Sequence, residues 1–201
     1  QAITTLDEKA DLLSALQQES AIQAEIRGMR TIAPMADLQT YLLQLKNYKK
    51  LSPATETLRD TQLGLIEAEI AKLKEFIEQA DSELDQLDTK ESLDTWGKLL
   101  YTNLQRLANT SDFKKLQKIQ ERFDLLSKFL DEIQIATMRY LRSTEDVTEA
   151  KTALQNVYKK YKKVLSDKQQ KIIAKATKQI DTRVHEFEEQ ALKMLEEFEN
   201  L

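Results

Sequence analysis

Apolar residues recur along the chain in alternating steps of three and four, and most of the residues between them are polar or charged. The first long run is Leu63, Ile66, Ile70, Leu73, Ile77, Ala80, Leu84 and Leu87. The beat returns at Leu116, Ile119, Phe123, Leu126, Leu130 and Ile133, then at Val147, Ala150, Leu154, Val157, Tyr161 and Val164. It returns once more at Ile180, Val184, Phe187, Ala191, Met194, Phe198 and Leu201. A repeat averaging 3.5 residues keeps one apolar seam turned toward a neighbouring helix along its whole length. The pattern predicts long α-helices packed side by side.

Capping and breaking residues divide the pattern. A first helix is predicted from about Thr5 to Gly28, with Asp7 and Glu8 in the first turn, where the helix dipole favours anions. Thr31–Pro34 breaks the chain, and a shorter helix follows to about Lys50 with Leu38, Tyr41, Leu45 and Tyr48 on one stripe. Ser52-Pro53 is a start signal, an N-cap followed by proline at the first helical position. The helix it opens should reach Leu87, roughly 50 Å at 1.5 Å per residue.

A break near Asp88 to Ser92 precedes a short helix carrying Leu93, Trp96, Leu100, Leu104 and Leu107. The turn residues Asn109 to Asp112 lead into a helix expected to run to Leu141 or Arg142. Ser143 and Asp146 stand at the spacing of an N-cap and its third helical residue, and Leu165-Ser166-Asp167 is either the last break or part of one continuous helix. Such short connections favour antiparallel hairpins. The expected fold is all-α: an elongated antiparallel bundle of coiled-coil hairpins with about six to seven helices. Residues 1–52 should form two N-terminal helices packed on the main body, and 53–201 the heptad-patterned bundle. A chain that begins at Gln1, with no initiator Met or signal-like apolar run, is expected to be a piece of a longer protein.

Composition sharpens the fold class. Only 3 Gly and 2 Pro occur in 201 residues, too few for the turns of a sheet, while 32% of residues are charged. Gly28, Gly64 and Gly97 are widely spaced, but the residues around them lack the signature of a helical repeat. Gly97 beside Trp96 suits a close helix approach around a tryptophan anchored in the core. The absence of cysteine removes disulfides, thiol catalysis and thiolate metal sites; it fits a reducing cytoplasm, the expected location, and also many secreted bacterial proteins.

No catalytic chemistry emerges. His185, the only histidine, has Glu at position 189 where a second zinc-ligating histidine would be needed, and Thr182 precedes it where a di-iron helix would carry Glu. It reads as an ordinary exposed side chain. No Gly-x-Ser-x-Gly turn or phosphate-cradling loop exists. Catalytic, cofactor-binding and metal residues, and a small-molecule substrate, are therefore not expected.

Charge is the remaining signal. The net charge is −4, which does not favour a polyanionic partner overall. Its distribution is uneven. Residues 67–94 carry ten acids against three lysines, whereas Lys159, Lys160, Lys162, Lys163, Lys168, Lys171, Lys175 and Lys178 face only Asp167 within 158–178. Residues 181–201 return to seven acids against Arg183 and Lys193. The lysine run has two readings: a docking patch with Tyr158 and Tyr161 interleaved, or a basic stretch answering the acidic helix and setting register. The second is preferred, because Tyr161 falls on the seam. The expected function is a non-enzymatic scaffold, spacer or interaction domain that meets a protein partner or itself through helices. The alternative is a helical arm that docks on nucleic acid or a membrane surface through the lysines; neither partner is favoured.

Overall fold

The computed structural model describes the backbone of residues 2–199 and, within it, the side chains of Leu6 and of residues 8–198. The chain is all-α, with seven helices among the described residues: α1 (Ala2–Gly28), α2 (Met35–Asn47), α3 (Pro53–Gln86), α4 (Lys90–Arg106), α5 (Phe113–Thr137), α6 (Thr144–Tyr161) and α7 (Asp167–Glu199). It divides into two compact units, Gln1–Glu78 with Thr102–Lys114 and Gln79–Tyr101 with Lys115–Leu201. No described helix is long and apolar enough to cross a membrane.

Most of the predicted boundaries fall within a few residues, and three differ for physical reasons. The first helix begins at Ala2, so Glu8 sits in the second turn rather than the first; the side chain of Asp7 and the seam residue Leu201 lie outside the described residues. The second helix stops at Asn47 rather than Lys50, because Tyr48 is extended and Lys50 has φ 57°, a left-handed backbone. The fifth stops at Thr137 rather than Leu141 or Arg142. Beyond it Met138 and Tyr140 are exposed, and Arg183 takes the carbonyls of Thr137 and Arg139 that a continued helix would use.

The seams are the cores of the units. In α3, Ile66, Ile70, Leu73, Ile77, Ala80 and Leu84 are buried, and in α5 so is every seam residue from Leu116 to Ile133. Burial also extends beyond the seams. Phe76 and Phe129 are buried one position off the 3-4 stripe, and Phe129 meets the edge of Tyr161 at 5.8 Å. In the second unit, Gly97 of α4 takes the ring of Phe123: a Cβ added there would lie 2.5 Å from its Cζ. Trp96 packs beside the same ring at 6.0 Å and donates from Nε1 to Glu83 at 2.8 Å.

With so few glycines, the C-terminal carbonyls of the helices cannot rely on glycine caps, and they find donors on other helices. Gln62 donates to Met29 O just past α1 at 2.8 Å. Arg183 donates to Thr137 O and Arg139 O beyond α5. At the end of α3, four consecutive carbonyls are covered by Ser166 and the first turn of α7. Gln169 Nε2 reaches Leu84 O and Leu87 O at 2.8 and 3.1 Å, Ser166 Oγ reaches Asp85 O at 2.7 Å, and Lys168 Nζ reaches Gln86 O at 2.6 Å. Ser166 and Gln169 also cap α7 reciprocally: Gln169 N–H donates to Ser166 Oγ and Ser166 N–H to Gln169 Oε1.

The start of α3 is held in the same manner inside the first unit. Glu19 of α1 accepts from Ser52 N–H at 2.9 Å and from Thr55 Oγ1 at 2.6 Å, and Gln23 donates to Thr55 Oγ1 at 2.7 Å. Hydrogen bonds from Ser52 and Thr55 hold the Glu19 carboxyl below its ordinary 4.5. A carboxylate at a helix N-terminus is also favoured by the dipole.

Candidate docking surface

The eight lysines lie on α6, on the α6–α7 turn and on the first half of α7, which pack against each other in the second unit. The structure separates them into two groups. Lys160 pairs with Glu132 at 2.6 Å, while Lys168 and Lys175 both approach Asp88 at 3.7 and 3.6 Å. Among the described residues, Lys159, Lys162, Lys163, Lys171 and Lys178 have no acidic side chain within 4.0 Å, and all five are exposed.

Only Asp88 of the acidic 67–94 stretch meets these lysines. The other acids of that stretch with ion pairs find different cations: Glu67 takes Lys46, Glu69 takes Arg106 and Lys72, and Asp81 and Asp85 share Arg122. The Arg122 guanidinium is held above its ordinary range by Asp85 and Asp81, against the opposing effect of its burial.

The two tyrosines make contacts within the chain. Tyr161 is buried and donates to Glu132 Oε1 at 2.7 Å; half-buried Tyr158 donates to Gln170 at 3.0 Å. Hydrogen bonds from Lys160 and Tyr161 hold Glu132 below the usual carboxylate range. His185 is exposed and sits 3.4 Å from Glu189, one turn along α7. No group of His, Cys, Asp or Glu among the described residues has the arrangement of a metal site.

A second surface lies further along α7. The last seam is buried only at its start, at Ile180, and Val184 is half-buried. From there Phe187, Met194 and Phe198 stand in solvent with Leu192 and Leu195 beside them. A groove of about 310 Å³, lined by Leu141, Val147, Val184 and Phe187, opens where this exposed stretch leaves α6. In the first unit, Leu6, Leu12, Leu13 and Leu16 of α1 are also exposed. The heptad pattern located the α7 residues, but the sequence could not distinguish a seam with a partner inside the chain from one without.

Compared with known protein families, with curated proteins and with solved structures, the chain matches none.

Proposed function

We propose that the chain is a non-enzymatic helical scaffold or interaction domain, and that it engages a protein partner by coiled-coil packing on the second half of α7. One observation carries this reading. The 3-4 repeat that is buried in α3 and α5 continues to Phe198 on a helix face that no described residue covers. Large apolar side chains held at regular spacing on an exposed helix mark a surface for another helix. The five lysines without acidic partners support a second reading, docking on nucleic acid or anionic lipid.

Photo-crosslinking in cells that express the protein separates the two. A benzophenone side chain at Phe187 should capture protein, and the same group at Lys162 should capture neither nucleic acid nor lipid. Nucleic-acid or lipid adducts at Lys162, with no protein adducts at Phe187, would replace the first reading by the second.

A further inference from the structure

We infer that the exposed seam of α7 is covered by the same seam of a second copy of this chain, running antiparallel. The inference rests on the interaction reading above and names its partner.

The order of side chains carries it. In heptad positions, Val184, Ala191 and Phe198 are a residues, and Phe187 and Met194 are d residues. An antiparallel pair sets each a against a d. Centred between residues 192 and 193, it places Phe187 against the partner's Phe198 and Ala191 against the partner's Met194. The bulky Phe187 and Phe198 then fill the outer layers together, and in the inner ones the small Ala191 faces the long, adaptable Met194. A parallel pair in register would instead stack Ala191 on Ala191 between layers of Phe and Met, leaving a gap where packing should be tight.

The flanks agree with this order. Glu188 would lie across from the partner's Leu195, and Gln190 across from the partner's Glu197, so no acid faces an acid over the seam. Glu186, Glu189 and Glu196 fall on the outer positions. The groove between Leu141, Val147, Val184 and Phe187 lies beside Phe187, where the partner's Phe198 arrives. The interface repeats the same patch on both copies, as a closed two-fold dimer requires.

The area sets the strength. Phe187 is 52% exposed, Met194 and Leu195 60%, and Phe198 72%. Aromatic side chains bury about 150–250 Å² each when fully covered, and methionine and leucine somewhat less. Covering these four on two copies removes roughly 800–1,000 Å², below the ~1,200 Å² lower bound of stable specific interfaces. The dimer is therefore weak, with a Kd on the order of 10–100 µM. Residues 181–201 have a net charge of −5, so screening by salt should strengthen the association. Binding of a polyanion by the lysines would have the opposite salt dependence.

The test is sedimentation equilibrium of the whole chain up to about 0.5 mM at low and high salt. The expected result is a monomer–dimer equilibrium that tightens with salt and is abolished by Met194→Glu. That residue is exposed in the monomer, so helicity and thermal midpoint should stay unchanged. Orientation is read by oxidising a mixture of Ala191→Cys and Met194→Cys chains, since the protein has no other cysteine. Mixed 191–194 disulfides are expected to predominate.

A protein that stays monomeric at 0.5 mM, a dimer indifferent to Met194→Glu, or disulfides joining like positions would each overturn the inference. Capture of a different protein at Phe187 by a monomeric chain would remove the second copy and leave the interaction reading in place.

Discussion

Replacing Gln169 by Leu should destabilise the second unit by about 1–3 kcal/mol. The side chain is buried, with only 1% exposed, and its three hydrogen bonds join two helix ends. Leucine has a similar volume, so the loss is polar rather than a cavity. Leu84 O keeps the bond it accepts from Leu87 N–H at 3.2 Å. Leu87 O and Ser166 N–H, both half-buried, lose the partners Gln169 gave them, and each costs less than the ~1–3 kcal/mol of a fully buried unpaired group, because water can reach it. Lys168→Ala is the control. It removes a cap on Gln86 O and an ion pair to Asp88, but its side chain is 45% exposed, so the loss should stay within about 0–1 kcal/mol. Urea unfolding followed by fluorescence of Trp96, the single tryptophan, reads the unit that contains both sites, and circular dichroism reads total helix. Gln169→Leu within 0.5 kcal/mol of the parent, or equal losses for both variants, would mean that these cross-helix caps do not hold α3 to α7.

Gly97→Ala should cost about 1–3 kcal/mol by chemical denaturation, because its Cβ would meet the Phe123 ring wedged between Trp96 and Tyr101; Gly64→Ala, which meets nothing within 4 Å, should gain about 0.5–1 kcal/mol of helix propensity. Opposite signs are the expectation, and a stabilised Gly97→Ala would contradict the packing described. Leu126→Ala, at a buried seam position, should lose about 2–5 kcal/mol, whereas exposed Lys74→Ala, one residue off the α3 seam, should change stability by less than about 0.5 kcal/mol; equal tolerance would mean that the heptad phase is wrong. The carboxyl of Glu132 is held below its ordinary 4.5 by Lys160 and Tyr161, so its contribution is complete above that pH and is lost as the pH falls through the folded value. Thermal melts of Glu132→Gln should therefore show a shallower loss between about pH 5 and pH 3 than the parent, and parallel curves would refute the assignment.

The sequence alone determined the all-α class, the approximate start and stop of each helix and most of the core. Those features depend on local rules: a 3.5-residue apolar repeat defines the face of a helix, and Ser, Pro and Asp mark where one begins. Leu126, Tyr161, Trp96 and the cap at Ser143 could be placed from neighbours within a few residues. Three things depended on the tertiary structure. Phe76 and Phe129 are buried off the seam because each helix has neighbours on more than one side, which a single stripe cannot encode. The carbonyl caps from Gln169, Ser166 and Arg183 join residues 44 to 85 positions apart, a distance over which spacing in the chain carries no information. The same holds for the lysines and for the last seam. Charge runs and heptads state what a surface can accept, but only the packed chain decides which surfaces are already filled. Ile180 is filled, and Phe187 is not.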